Sequence, residues 1–387
     1  MRVVMTFLLT LLLVVVVAWL GLWWYLEGRL QSGVEGWAEN QAAHGVTIAY
    51  SSLQRGTNPT VAQISLTNMT ITLPQEPSGA QPVVSMPSLG LRLNMTSPTT
   101  LHADLPTKIS VNAGGNFDLV MNSGSIGLSE NLDPNALFNK AVYPFKGGDF
   151  SATDVDFLAS SGSLLVLHLD SLTGHADINT NATATEPALA ETIMLNGMAL
   201  SPLMTKIASI PFDGKVSQLG FSLSLSGPVP PQIYTIEDQL RADAKDEVAQ
   251  QKLIMPIVHQ WAAQGGNGNL TLKLAIGPSI ARADGAIKFD ANIQPEGTAN
   301  LTADHLDQFT AAITAAYPQV ADTIAAAEAQ LTPYITTDPQ TGQTVTMHAT
   351  YGAGAVSING KTVAPLPPLD WTTLENPPPA PATPPAQ

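Results

Sequence analysis

The chain has no cysteine among its 387 residues, which excludes a disulfide scaffold, a thiolate metal site and a cysteine nucleophile together. It is also short of charge. Asp, Glu, Lys and Arg make up 12% of residues, about half of the ~25% usual in soluble domains, so uncharged polar side chains carry the wet surface. The 16 Lys and Arg are outnumbered by 31 Asp and Glu, giving a formal net charge of −15. With the cations spread thinly, no basic stretch matches a phosphate backbone, and nucleic acid is excluded as a partner. The same scarcity argues against docking on anionic headgroups, which needs clustered Lys and Arg beside the membrane. Any membrane role must then rest on apolar contact.

Such contact is available at the N-terminus. Residues 3–26 contain no charged side chain and are dominated by Leu and Val, enough at 1.5 Å per residue to cross a hydrocarbon core of about 30 Å. The run is longer than the ~7–15 residues of a signal-peptide core and lacks a small-residue cleavage site. It ends in Trp19, Trp23, Trp24 and Tyr25, which read as an interfacial aromatic belt. An uncleaved anchor is therefore expected over residues 1–26. Arg2 and Arg29 balance across it, but a short N-terminal flank before a large body favours N-in, C-out. That topology places the body in the periplasm of a Gram-negative cell, with the inner membrane as its partner.

Leu26, Leu30, Val34 and Trp37 recur at helical spacing, predicting a helical extension over 27–44 that stops at Gly45. Beyond Gly45 most of the chain has a period of two. Strands are expected near 46–50, 62–73, 89–95, 108–111, 117–121, 163–170, 174–180, 344–349 and 355–358. The segments GFSLSLSGP (220–228) and GNLTLKLAIGP (268–278) echo one another. In ADGAIKFDANIQPEG, from residue 283, Ile287, Phe289, Ala291 and Ile293 alternate with polar residues. Short helices are expected at 133–140 and 200–207, a long one over 233–263 kinked at Pro256, and an Ala-rich one over 304–331 broken near Pro318. These helices are the natural covers for the apolar strand faces. The body spans 45–369, either as one elongated β structure or as two subdomains with a break near 228–233. The Pro/Ala-rich residues 370–387 are expected to form a disordered tail.

No Gly-x-Ser-x-Gly elbow, Walker A loop, dinucleotide fingerprint or His-Glu-x-x-His pair occurs, and the chain is read as a non-enzyme without cofactor or metal. Gly265-Gly266-Asn267-Gly268 resembles a phosphate loop but lacks the lysine and leads into a strand. His168, Asp170, His175 and Asp177 would converge only if a hairpin folded the two His-x-Asp pairs together; a solvated strand face is the plainer reading. The carboxylate pairs Asp154/Asp156 and Asp243/Glu247 are read as solvated faces.

Three stretches carry a family resemblance: VEGWAENQAAHGVTIAY (34–50), ADGAIKFDANIQPEGTANLTADHLDQF (283–309) and GAGAVSINGKTVAPLPPL (352–369). With the preceding span, they resemble a family of uncharacterised membrane-anchored alphaproteobacterial proteins, known only as a domain of unknown function and distantly similar to AsmA-like envelope proteins. RGTNPT (55–60) departs from the family's Gly-Phe-Pro turn by lacking the aromatic. The resemblance implies an envelope location and a link to lipid homeostasis, and supplies no catalytic residues.

The expected fold is mainly β within the α+β class: a twisted antiparallel, groove-like sheet packed by several helices behind one transmembrane helix. Two functions are compatible with it. In the first, Leu223, Leu225, Leu270, Leu272, Leu274, Ile287, Phe289 and Ile293 line an apolar trough that shields the acyl chains of a phospholipid or other envelope lipid. In the second, the helices cover every apolar face, and the chain is a structural or assembly factor acting through envelope protein partners.

Overall fold

The computed structural model describes residues 2–75, 80–114, 118–137, 144–159, 162–234, 236, 239–240, 246–339, 341–352 and 354–377. The chain divides into two compact units, Met1–His175 with Gly197–Ser201 and Ala176–Asn196 with Pro202–Gln387. Both are built on antiparallel strands, in keeping with the fold class read from the sequence.

In the first unit α1 (Arg2–Ala43) precedes β1 (Thr47–Ala49), β2 (Ser52–Arg55), β3 (Val61–Thr72), β4 (Val83–Asn94), β5 (Ser97–Asp104), β6 (Lys108–Asn112), β7 (Asp118–Asn122), β8 (Ser125–Leu132) and β9 (Phe145–Ala159). The long strands β10 (Leu164–Ile178) and β11 (Pro187–Leu200) follow; β10 as far as His175 and β11 from Gly197 belong to the first unit, and residues 176–196 to the second. Alternation along β3 turns Ala62, Ile64 and Leu66 inward, all fully buried. At Asn68 the backbone takes φ 49°, a left-handed conformation that asparagine tolerates. This step moves the inward parity by one, so that Met69 is the next buried side chain.

The cover for this face is the second half of α1. Leu22, Leu26, Leu30 and Val34 fall one helical turn apart and pack against Ala62, Ile64, Leu66, Leu91, Leu93 and Met95. Leu26 is 0% exposed. Glu27 is buried beside it, its Oε1 accepting from the Gln63 backbone N–H at 3.5 Å. One stripe of α1, from Leu22 to Val34, is thus part of the first unit's core, and the body begins within the apolar run. Earlier on α1 the apolar side chains lie open, from Leu12 at 60% exposed to Leu20 at 43%. The helix is long and apolar enough to cross a membrane. Ahead of Trp19, which bonds to the body, the stretch 3–18 rises by about 24 Å, most of one hydrocarbon thickness.

Trp19 and Trp23, two of the four aromatic residues read as an interfacial belt, donate their indole N–H groups to the body. Trp19 Nε1 donates to Pro59 O at 2.8 Å and Trp23 Nε1 to Val61 O at 3.1 Å, both in the approach to β3. Trp24 and Tyr25 remain exposed.

The second unit contains α2 (Pro202–Ala208), β12 (Lys215–Ser226), α3 (Glu247–Ala263), β13 (Asn267–Ile276), β14 (Ser279–Phe289), β15 (Pro295–Ala303), α4 (Leu306–Ala316), α5 (Ala321–Leu331), β16 (Ile335–Asp338), β17 (Gly342–Gly352), β18 (Ala355–Ile358), β19 (Lys361–Pro365) and α6 (Trp371–Glu375). Strands β12 to β15 form a meander, β15 pairs with β17, and β17 also pairs with β16 and β18. Because β12 pairs with β13 along its whole length, the Gly-Pro punctuation at 227–233 lies inside this unit.

The expected tail requires a correction. Asp370 caps α6, its Oδ1 accepting from the Thr372 and Thr373 backbone N–H groups, and Trp371 packs into the unit, so residues 370–375 are ordered. Residues 378–387 of the tail lie outside the described residues, as do 138–140 of the helix expected at 133–140 and 241–245 of the one at 233–263.

Candidate functional site

Strand register assembles the site. Residues directly opposite in an antiparallel sheet share a face. One row of the second unit runs Leu223, Leu270, Gly285, Ala299, Ala349, Ile358 across six strands. The next rows are Phe221, Leu272, Ala283, Leu301, Met347 and, beyond it, Leu219, Leu274, Ala281, Ala303, Val345. On the other side lies Leu225, Gly268, Ile287, Gly297, Tyr351. Small residues gather on the middle strands, Ala281, Ala283 and Gly285 of β14 and Gly297, Ala299 and Ala303 of β15, interrupted by Ile287 and Leu301, so much of the centre is shallow between the leucines of β12 and β13 and Met347 and Tyr351 of β17. The reverse face carries Ser222, Thr271, Lys273, Asp284, Asn300 and His348 and is wet.

Helices close the two ends of this face. At one, Trp261 of α3 meets Phe289 edge-on at 5.8 Å between centroids and donates from Nε1 to Ser226 O at 3.0 Å. Trp371 of α6 lies 6.1 Å from Phe289 and stacks on His259 at 4.6 Å; its Nε1 donates to Ile293 O at 2.9 Å. His259 Nδ1 is hydrogen-bonded to Glu375 Oε1 at 2.7 Å. At the other end Phe309 of α4 stacks on Phe212 at 5.9 Å and borders a cavity of about 120 Å³ lined by Leu274, Ile276, Ile280 and Leu306.

Between these ends the face is open. Leu219 is 45% exposed, Leu270 37%, Leu272 41%, Ile287 41% and Leu301 38%. Side chains of this size exposed on one continuous face depart from the scattered apolar residues of an ordinary surface.

Six of the expected trough residues, Leu223, Leu225, Leu270, Leu272, Leu274 and Ile287, share the face. Phe289 belongs to the closed end beneath the two tryptophans. Ile293 is displaced from the expected strand: β14 stops at Phe289, and Asp290 Oδ1 accepts from the backbone N–H groups of Asn292 and Gln294. That side chain folds a turn in which Ile293 has φ 58°. Ala299 and Leu301 alternate with Asn300 and Thr302 in the sequence, but they and the floor residues Gly285 and Ala349 become neighbours of the leucines only through pairing.

The His-x-Asp pairs do not converge. Both lie on the single strand β10, seven residues and roughly 23 Å apart, an odd spacing that turns them to opposite faces. His168 is hydrogen-bonded to Asp156 at 2.8 Å and Asp170 at 3.2 Å, while His175 is bonded to Asp149 at 2.8 Å. The hydrogen bond from Asp156, reinforced by Asp170, holds the His168 pKa above its ordinary value against partial burial. No group of three or more His, Cys, Asp or Glu suited to a metal occurs among the described residues. Asp243 lies outside them.

The molecule is thus an antiparallel β protein with an N-terminal helix apolar enough to cross a membrane and, in its second unit, an apolar sheet face left open between two helical ends. The chain belongs to the bacterial family described as "Uncharacterized protein conserved in bacteria (DUF2125)", whose model matches residues 23–367. The match opens at Trp23, where α1 turns its side chains onto β3. It gives no support to the distant AsmA likeness. No curated protein matches the chain.

Proposed function

We propose that this protein is anchored in the inner membrane by α1, with its body in the periplasm, and that it binds lipid acyl chains along the open face of the second unit as part of envelope lipid handling. The observation that carries the reading is the exposed strip Leu219, Leu270, Leu272, Ile287 and Leu301 beside a floor of glycine and alanine. An acyl chain needs area without fixed polar partners. Each methylene moved from water onto such a surface gains about 0.8 kcal/mol, and a membrane anchor keeps the face near its source of lipid.

A second reading has its own support. The first unit covers its apolar face with a helix, α1, and a helix from an envelope protein partner could cover the second in the same manner. On that reading the chain is an assembly factor without a lipid ligand.

A phospholipid bearing a photoactivatable group on its acyl chain, supplied to the full chain in vesicles, separates the two. Labelling of peptides from 267–303, lost in Gly285→Phe, is the expected result. A Cβ at Gly285 meets nothing closer than 3.7 Å, so the new ring fills the floor without crowding the backbone. Labelling confined to residues 2–21 would reject lipid binding by the face and leave the protein-contact reading.

A further inference from the structure

We infer that the place where α1 leaves the bilayer is a binding site for the phosphate of a glycerophospholipid, held by Arg29 and Arg55 beside Trp24 and Tyr25. The inference rests on the reading of α1 as a membrane span and is independent of the trough. The sequence spreads its 16 Lys and Arg thinly, yet folding brings two of them, 26 positions apart, into one cleft with Trp24, Tyr25, Gly28 and Gln31.

Both guanidinium groups are held in place by neutral oxygens. Arg55 donates from Nε at 3.0 Å and Nη2 at 2.8 Å to the single acceptor Gln31 Oε1, two of the five N–H donors a guanidinium carries. Its Cζ stands 6.0 Å from the centroid of the Trp24 ring, within reach of a cation–π contact, and its Nη2 lies 3.9 Å from where a Cβ on Gly28 would stand. Arg29 donates from Nη2 to Ala136 O at 3.3 Å. Two carboxylates bear on the cleft: Glu35 is one of its lining residues, and Glu27 is close enough to Arg55 for coulombic attraction. Glu27 is buried and engaged with the Gln63 backbone N–H, and Glu35 accepts from Gln31 Nε2 at 2.8 Å.

Height along the helix selects the ligand. With the hydrocarbon span ending where α1 first meets the body, between Trp19 and Leu22, Trp24, which is 66% exposed, and Tyr25 fall at the interface. Arg29 lies about 7 Å further out, at the level of lipid phosphates. A planar fork that is always charged is the side chain suited to a phosphate there. An overall charge of −15 disfavours diffuse attraction to an anionic surface, so retention at this place must come from a defined contact.

The test uses the full chain in nanodiscs of phosphatidylglycerol mixed with a phosphate-free galactosyl diacylglycerol, with retained lipid counted by native mass spectrometry. Wild type should carry the phospholipid enriched about five- to tenfold over its share of the disc, the ratio of roughly one charge-assisted hydrogen bond. Arg29→Gln/Arg55→Gln should remove the enrichment, and Gly285→Phe should leave it intact. Equal retention of the two lipids by wild type, which asks nothing of a variant's folding, would overturn the proposal. So would undiminished enrichment in the double variant. A chain that fails to co-elute with the disc would refute the span and this site together.

Discussion

Leu26→Ala tests whether α1 is a stalk or a structural part of the first unit. Leu26 is fully buried among Ala62, Leu93 and Met95, with Leu22, Trp23 and Leu101 around them. Three carbons are lost, worth about 2.4 kcal/mol of transfer free energy at ~0.8 each. The cavity left under a helix braced at Leu22 and Leu30 raises the cost to about 3–4 kcal/mol. For a unit of ~180 residues, the melting temperature should fall by about 6–16 °C at roughly 2–4 °C per kcal/mol. Hydrogen exchange gives the sharper assay because it reports on the unit locally: protection of Val61–Thr72 and Val83–Asn94 should drop by about two to three decades. Leu20→Ala, at a position 43% exposed, is the control and should stay within about 0.5 kcal/mol. Equal effects of the two substitutions would refute the packing argument. If the packing holds, a fragment starting at residue 45 leaves Ile64, Leu66, Leu91 and Leu93 bare and fails to fold its first unit.

Leu272→Ser, on the open face, should cost the second unit no more than about 1 kcal/mol in thermal melts while reducing acyl-chain labelling of β13 to β15; a large loss of stability would mean that the face is covered. Trp371→Ala removes the stack on His259, the contact with Phe289 and the bond to Ile293 O. For this partly exposed ring the cost should be about 2–3 kcal/mol, and protease should then cut residues 366–377 faster. His168 binds its proton more tightly folded than unfolded, chiefly through Asp156. Its contribution is therefore complete below the unfolded value of 6.5 and fades as pH rises through the raised folded value. A melt series from pH 6 upward should show a shallow fall, since the side chain is 33% exposed, and His168→Gln should flatten it.

Periodicity carried the fold class because alternation and helical spacing are local properties. The strict Leu-polar repeat of 219–226 and 269–275 and the turn-by-turn Leu26, Leu30 and Val34 each specify an element and the face it buries. Partnership is non-local, and there the sequence was silent. Nothing near Leu26 announces that it meets Ala62 and Leu93, so the helical extension was legible while the burial of its Leu26, Leu30 and Val34 stripe was not. The floor of the trough was hidden for the same reason. Gly285 and Ala299 have no signal of their own and acquire meaning from the register that sets them beside Leu270. Ile293 misled in the opposite direction, since its alternation was genuine but the side chain of Asp290 ended the strand first. The Arg29–Arg55 cleft could not be found by counting cations along the chain, because 26 residues separate its members.

The two units also bear on each other's interpretation without reference to their arrangement. Both present an alternating strand face, and both draw on the same sparse set of charges. In the first, Ala62, Ile64 and Leu66 lie under an apolar helix and are fully buried. In the second, the helices α3, α4 and α6 sit at the ends of the face, and Leu270, Leu272 and Leu301 keep more than a third of their surface. A chain of this composition has helical material to spare: the Ala-rich α5 presents no buried side chain, yet it is not spent on the gap. Covering such a face is therefore within reach of this architecture: α1 does so over Ala62, Ile64 and Leu66, and among the described residues no helix does so over Leu270 and Leu272. An exposed strip of leucine favours aggregation unless something occupies it. On the proposed reading that occupant is an acyl chain, and the photolabel asks whether one meets the strip.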